Sequence, residues 1–484
     1  MRECQMNNDQ LSPETFQRDT FAALNNPQLR RNFKRAMGGL MEKRQAVFAD
    51  EDEWQQLREL GRSIRANALR KLPELLEQLE ENCTKNGIQI HWAESIDDAN
   101  ALVLEIAQRH GVKSVVKGKS MVSEEMELNH FLEQHGIEAL EADLGEYIIQ
   151  VDHELPSHII MPAIHKNKDQ IAQLFREKVD PVARAETAEE MTAIARRVLR
   201  QKFYDADMGV SGVNFAVAET GTLCLVENEG NGRFCTTLPP VHVAVMGLEK
   251  VVERLEDVPP LLSLLTRSAT GQVITTYFNM ITSPRKSAEK DGPHEVHLIL
   301  LDNGRSRMHA DDLLRDTLLC IRCGACMNHC PVYSRIGGHA YNTTYPGPIG
   351  KILTPQMKGL HEAGHLADAS SLCGACVEVC PVKIPITNIL LRLRHDKVEN
   401  KRKFPLTKSG GLKAKTESLV WKGWATVFAS PKLYRLKSFG IAKMGNLTPA
   451  WLPILRNWTS VRSKPRFAKK SLHQLAREEG LSDE

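Results

Sequence analysis

The chain has 484 residues, 42% hydrophobic and 25% charged, with 11 cysteines and a formal net charge of +3. That length suggests two or three domains with ample material for a core, and the composition is that of an ordinary globular protein. No run of about 18 apolar residues occurs, and the N-terminal MRECQMNNDQLSPE lacks an apolar stretch; neither a transmembrane helix nor a signal peptide is expected, which makes the cytoplasm the expected compartment.

Residues 12–83 read as helical. Ser12-Pro13-Glu14 is an N-cap followed by proline at the first helical position, and long charged, leucine-bearing stretches follow, such as EWQQLRELGRSIRANALRKLPELLEQLEENC. From about 88 to 300, helices alternate with short apolar runs: Ser114–Val116, Tyr147–Val151, His158–Met161, Val213–Ala218, Leu223–Val226, Val241–Met246 and Val296–Leu301. This alternation predicts an α/β domain with a largely buried sheet. Ala218-Glu219-Thr220-Gly221-Thr222 joins two of these runs and reads either as an ordinary strand–turn–strand or as an anion-binding loop. Gly118-Lys119-Ser120 looks like the end of a phosphate loop, but the first glycine of that motif would fall on Lys113. No G-x-G-x-x-G opens a helix either, so nucleotide binding is not expected.

Seven cysteines fall within residues 320–380, while Cys4, Cys83, Cys224 and Cys235 are scattered and read as buried small hydrophobes. In a reducing compartment a dense cysteine block points to metal rather than to disulfides. Cys320-Ile-Arg-Cys323-Gly-Ala-Cys326-Met-Asn-His-Cys330-Pro331 is the C-x2-C-x2-C-x3-C-P run of bacterial ferredoxins. Three thiolates two residues apart wrap three corners of a cube, and Gly324 suits the tight turn between them. The fourth cysteine lies too far along to close the same cube and ligates the other cluster. Cys373-Gly-Ala-Cys376-Val-Glu-Val-Cys380-Pro381 repeats the run without its first cysteine, whose position Ser370 holds. Cross-ligation assigns Cys320, Cys323, Cys326 and Cys380 to the first cluster, and Cys330, Cys373 and Cys376 to the second. Ser370, water or another group completes the second cluster, or that iron is absent and the cluster is [3Fe-4S]; the sequence leaves these open. A zinc ribbon is the competing reading of two C-x2-C pairs, but zinc has no use for seven cysteines ending in two Cys-Pro pairs. Histidines are dispersed; His329 and His339 are at most neighbours of the clusters. The long separation of Cys330 from Cys373 resembles the helical two-cluster domains of respiratory reductase subunits, which pass electrons between a partner's active site and an acceptor.

Residues 391–484 hold 21 Lys/Arg against 7 Asp/Glu, whereas the preceding 390 hold 42 against 53. This basic tail carries four of the six tryptophans: Trp421, Trp424, Trp451 and Trp458. Trp421, Trp424 and Phe428 share one face if the segment is helical. The tail reads either as a surface that docks an acidic partner or an anionic membrane, or as a helix packed on the ferredoxin domain with a solvated basic face. No helix-turn-helix or zinc finger is present, so no nucleic-acid partner is expected.

On the segments VKGKSMVSEEMELN, EALEADLGEYIIQ, Gly212 through AETGTLCLVENEGN to Leu238-Pro-Pro, and GGHAYNTTYPGPIGKILTP, together with the missing cysteine, the chain resembles the lactate-utilisation protein B family (LutB/LldF/YkgF) over essentially its whole length. The resemblance implies a helical N-terminal segment (1–69), a lactate-utilisation (LUD) α/β domain similar to ribose-phosphate isomerases and CoA-transferases (70–304), an all-α ferredoxin domain with two [4Fe-4S] clusters (305–390) and a family-specific C-terminal segment (391–484). It also implies an electron-transfer role in a complex that oxidises L-lactate to pyruvate, with a cysteine-rich protein A and a small LUD-only protein C as partners. If the basic tail docks on an anionic membrane, it would place a cluster near an electron acceptor at the inner face of that membrane. No flavin or nicotinamide motif occurs, so no catalytic residue is assigned. Two other functions compete: an iron–sulfur hydro-lyase that uses the incompletely ligated cluster, and a redox sensor that binds through the tail.

Overall fold

The computed structural model describes residues 11–118, 120–181, 185–403, 410–449, 451–452, 459 and 463–480. Cys4, Lys119 and Trp458 lie outside the described residues. The chain forms two compact units, residues 1–397 and 398–484.

The first unit begins with the expected helices: α1 (Pro13–Leu24), α2 (Pro27–Val47), α3 (Glu51–Arg70) and α4 (Leu72–Lys85). Local chemistry sets their starts. Ser12, Asn26 and Asp50 each cap a helix by accepting from the amide three residues on, and Pro13 and Pro27 stand at first helical positions. α3 buries Trp54, Arg58, Gly61, Ile64, Arg65, Ala68 and Leu69, a spacing of three and four that defines one inward face.

Two sheets follow. The larger contains β1 (Gln89–Ala93), β2 (Ser114–Gly118), β3 (Glu138–Glu141), β4 (Met208–Gly212), β7 (Val241–Gly247) and β10 (Glu295–Leu301), in the order β1-β10-β7-β4-β2-β3. Every pairing in it is parallel. Parallel neighbours need crossovers, and α5 (Ile96–Arg109) is one of them. The central strands β4 and β7 are buried along their whole length, as a sheet covered on both faces demands. The smaller sheet holds β5 (Phe215–Val217), β6 (Thr222–Glu227), β8 (Val251–Val252) and β9 (Tyr277–Ile281), in the order β8-β5-β6-β9.

Two of the expected apolar runs are not strands. Tyr147–Val151 lies in a helix, Leu144–Val151, because Asp143 accepts from the amides of Gly145 and Glu146 and so starts a helical turn ahead of it. His158–Met161 is irregular: the His158 Nδ1 accepts from the amides of Ile160 and Met161, which takes those donors from any ladder. β1, β3, β4, β8 and β9 were not read from the sequence; β1 and β9 are only partly buried and lack a clean apolar run.

The N-terminal helices, the sheets and the cysteine segment share one hydrophobic core, in which Trp54, Leu79, Phe215, Leu298, Leu318 and Ile389 are all members. In the second unit, helices Gly410–Ala429 and Pro431–Met444 carry a train of rings. Trp421 meets Trp424 at 5.9 Å, Trp424 stacks on Phe428 at 4.5 Å, and Phe428 meets Tyr434 at 5.2 Å. The three aromatics thus share a helix face, and Trp421, Trp424 and Trp451 remain exposed.

Arg65 of α3 is the tie among the parts of the first unit. Its guanidinium donates to the carbonyls of Glu249, Val251 (3.0 Å), Leu318 (3.0 Å) and Leu319 (3.4 Å). Arg65→Met keeps the stem but strands these buried acceptors, each costing about 1–3 kcal/mol. We expect a loss of at least about 3 kcal/mol, read by denaturant unfolding of the cluster-bearing chain; an unchanged midpoint would contradict this role.

Candidate iron–sulfur sites

The seven cysteines converge on two separate voids. Cys320, Cys323, Cys326 and Cys380 line the first, with Ile321, Ile349 and Ile384 closing its walls. Cys330, Cys373 and Cys376 line the second, with Ser370 and Lys351. Each void thus draws cysteines from both motifs, the grouping that cross-ligation anticipates.

The loop geometry follows from the residues between the cysteines. Arg322 (φ +61°) and Gly324 (φ +75°) are left-handed and turn the chain sharply after Cys320 and Cys323. Gly324 is also closely flanked: a Cβ would sit 3.2 Å from His158 Cε1 and 3.3 Å from Ile160 Cγ1. Backbone amides point at sulfur. Arg322 N lies 3.4 Å from Cys320 Sγ, Tyr333 N 3.5 Å from Cys330 Sγ, and Ile384 N 3.4 Å from Cys380 Sγ.

The second motif copies the first in backbone form. Leu372 (φ +55°) and Gly374 (φ +86°) take the places of Arg322 and Gly324. Leu372 N donates to Ser370 Oγ at 3.2 Å, as Arg322 N donates to Cys320 Sγ. Ser370 therefore stands in the register position of Cys320 and lines the second void.

Burial and mutual crowding push the thiols away from ionisation: Cys376 is raised to about 12 and Cys380 to about 11, and Cys323 and Cys326 are also raised. Buried thiols gathered this closely are a poor arrangement unless a cation takes their protons' place, so the donor set fits iron–sulfur clusters. Fixed positive charge supports that fit. Arg58 donates to the carbonyls of Cys380 (2.9 Å) and Val377 (3.0 Å). Lys351 Nζ lies 3.6 Å from Cys330 Sγ, buried, and 5.5 Å above the Tyr341 ring.

Other sequence candidates are placed elsewhere. His329 Nδ1 bonds the Ala325 carbonyl and His339 Nε2 the Leu155 carbonyl; neither lines a void. The Ala218–Thr222 stretch is the β5–β6 hairpin turn rather than a ligand loop. Asn82 Nδ2 donates to the carbonyls of Ala218 and Glu219, Asn86 Nδ2 donates to that of Thr220, and a Cβ on Gly221 would lie 2.7 Å from Asn82 backbone. Ser120 caps the Met121–Glu125 helix. Cys83, Cys224 and Cys235 are buried, as expected of small hydrophobes. Sequence reasoning missed Arg58, Arg322 and Lys351; Arg322 lay inside the first motif, where its charge so close to thiols was the available signal, whereas Arg58 and Lys351 are distant in sequence from the cysteines they approach.

Residues 76–301 match the LUD domain family, residues 316–384 the 4Fe-4S dicluster domain, and residues 392–481 the family described as lactate utilisation protein B, C-terminal. The chain is 44% identical over 429 residues to Lactate utilization protein B 2 of Bacillus mycoides (strain KBAB4), covering 87% of this chain and 88% of that one. The same identity and coverage hold for Lactate utilization protein B of Bacillus cereus (strain AH820). A solved DUF162 family protein from Deinococcus radiodurans aligns with a TM-score of 0.28 and 12% identity over 48% of this chain and 98% of that one. The fold class is thus a LUD α/β domain joined to a 4Fe-4S dicluster domain.

Lys351 beside Cys330 stabilises added negative charge at the second site. Lys351→Met should lower the reduction potential of that site by at least about 60 mV, a tenfold shift of a one-electron couple, while the potential of the first site stays in place. Redox titration followed by electron paramagnetic resonance measures both; equal shifts at the two sites would count against this assignment.

Proposed function

The chain belongs to the lactate utilization protein B family, and from that premise we propose that it is the iron–sulfur electron-transfer subunit of a complex that oxidises L-lactate to pyruvate and supports growth on lactate. Its partners are the lactate-utilisation proteins A and C, and its cofactors are two [4Fe-4S] clusters. Cys320, Cys323, Cys326 and Cys380 hold the first. Cys330, Cys373 and Cys376 hold the second, with Ser370 at the fourth corner; loss of that corner leaves [3Fe-4S]. Such clusters supply one-electron storage at potentials tuned by ligand type, charge and exposure. The observation that carries this reading is the pair of voids, each lined by cysteines of both motifs.

The chain's own residues set how each site works. Arg58 and Arg322 place positive charge around the first site, which is closed by isoleucines. At the second, Cys373 is exposed, which suits exchange of electrons with a partner. The basic tail, with its exposed tryptophans, suits docking to an acidic subunit or to the cytoplasmic face of the membrane beside the electron acceptor. Among the described residues no helix is long and apolar enough to cross a membrane, so such contact would be peripheral.

A hydro-lyase remains the second reading, because three thiolates at the second site leave one iron short of a thiolate. That reading needs a catalytic base, and the lining of the second void contains one lysine and neither carboxylate nor histidine.

Iron content, cluster-selective variants and lactate-dependent dye reduction test the proposal. Protein purified without oxygen should carry about seven to eight irons per chain. Cys380→Ser should perturb the first cluster and Cys330→Ser the second, whereas effects confined to each mutation's own motif would refute cross-ligation. The function itself is read from dye reduction by lactate. Co-expressed proteins A and C should co-purify with the chain, and the complex should reduce the dye. The Cys380→Ser complex should do so at least tenfold more slowly. A complex with full iron that ignores lactate would remove the proposal.

A further inference from the structure

We propose that His110, Glu295 and His297 form a zinc site on the LUD domain, at the end of the large sheet opposite the loops that meet the cysteine segment. Nothing in the proposed electron-transfer role requires it, and it stands on its own observations.

Glu295 and His297 are two apart on β10, so they point to the same face of the sheet. That face is the one covered by α5, whose Val103, Ile106 and Ala107 pack with Val243, Ile299 and Leu301. His110 is the C-cap of α5 and ends the helix above the start of β10. The fold therefore brings two imidazoles and a carboxylate from separate elements to one point, with their donor atoms all within 4.8 Å of one another.

The spacing fits a metal better than it fits hydrogen bonds. His110 Nε2 lies 3.4 Å from Glu295 Oε2, and His297 Nε2 lies 3.5 Å from the same oxygen. Good N–H···O bonds are shorter, at about 2.7–3.2 Å. Ligand atoms about 2.0–2.2 Å from a tetrahedral zinc are separated by about 3.3–3.5 Å.

A second observation is independent of that spacing. His297 is 0% exposed, and its Nε2 has no hydrogen-bond partner. Its other nitrogen, Nδ1, lies 3.0 Å from His91 Nε2. A proton on Nδ1 shared with His91 leaves Nε2 as a bare lone pair aimed at the site, the arrangement in which a neighbour orients a ligating imidazole. Gln89 Nε2 donates to Glu295 Oε2 at 3.1 Å and steadies the carboxylate. The neighbouring cation, Arg109, is engaged by Glu105 at 3.1 Å.

Two nitrogens and one oxygen without a thiolate select a borderline divalent ion, and zinc takes such a set with water in the fourth position. His110 is exposed, so the ion can enter from solvent. Bound there, it would clamp the end of α5 to β10. The other histidine–carboxylate group, Glu154, His165 and His339, is already satisfied. Lys166 and His165 both engage Glu154, at 2.8 and 2.6 Å, and His339 Nε2 is spent on the Leu155 carbonyl at 2.7 Å.

The test uses the full chain with its clusters intact, titrated with Zn²⁺ against a chromophoric chelator, and X-ray absorption at the zinc edge. We expect one zinc per chain with nitrogen and oxygen donors alone. His110→Ala and Glu295→Gln, both altered at accessible positions, should each weaken binding at least tenfold without changing the iron content or the visible spectrum. Zinc uptake equal in the wild type and the His110→Ala/Glu295→Gln double variant would overturn the site. So would zinc found only with sulfur donors, an outcome that would also put zinc in the cysteine motifs and strike at the cluster reading instead.

Discussion

A carboxylate buried without a partner is untenable, and Glu249 is buried completely. It follows β7, at the end of the sheet where the cysteine segment arrives. Desolvation alone would push its carboxyl up; Arg305 and Arg322 hold it down at about 2. Arg305 Nε donates to it at 2.7 Å and Arg322 Nη2 at 3.1 Å. Arg305 also makes a two-point contact with Glu125, at 3.0 and 2.9 Å, and the Tyr345 hydroxyl donates to Glu125 at 2.8 Å. Glu125 and Glu249 belong to the α/β part of the chain, Arg305 stands at the junction between the 76–301 and 316–384 domains, and Arg322 and Tyr345 belong to the cysteine segment. Breaking one member of such a set costs about 3–5 kcal/mol, because the rest are left buried and unpaired. The cysteine segment is therefore bolted to the sheet rather than hung from it, and Arg322, which sits between two cysteines, is one of the bolts.

That placement links the fold to the electrostatics of the voids. Thiolates around iron carry net negative charge into a buried place, and the charge must be met locally. At the first void arginines and the amides of Arg322 and Ile384 meet it, behind isoleucine walls. At the second, one lysine and the Tyr333 amide meet it, one cysteine is exposed, and an oxygen stands where a sulfur would. Two sites built from one motif thus differ in exposure, charge and ligand, the same properties that set cluster potential.

The sequence made the cysteine chemistry legible because ligand spacing is a local property: seven positions and two Cys-Pro endings were enough to group the residues that line each void. The strands were less legible. Buried β7 and β10 announced themselves as apolar runs, but β1 and β9 are partly exposed, and β3 is too short to do so. Tyr147–Val151 has the composition of a strand, and only the cap at Asp143, just before it, makes it a helix. The arginines could not be found by periodicity, because Arg58 and Arg65 serve carbonyls that are distant in sequence. A single buried arginine on an otherwise amphipathic helix looks like any other surface charge until the chain is folded. The β5–β6 turn was ambiguous for a related reason: the side chains that close it, Asn82 and Asn86, come from α4 and its C-cap.

The long separation between the two cysteine motifs, which sets this segment apart from a compact ferredoxin, has a physical use. It contains the Gly347–Lys358 helix, buried from Gly347 through Gln356. Ile349 of this helix lines the first void and Lys351 the second. Two residues apart on an α-helix are about 200° apart around its axis, so they face nearly opposite ways. One helix is therefore the partition between the two sites. It offers a hydrocarbon wall to the site already rich in arginine and an ammonium group to the site that has no other cation in its lining. A short loop, such as joins the motifs of a small ferredoxin, has no inward face to divide in this way. The inserted residues make the two sites chemically different while keeping them side by side.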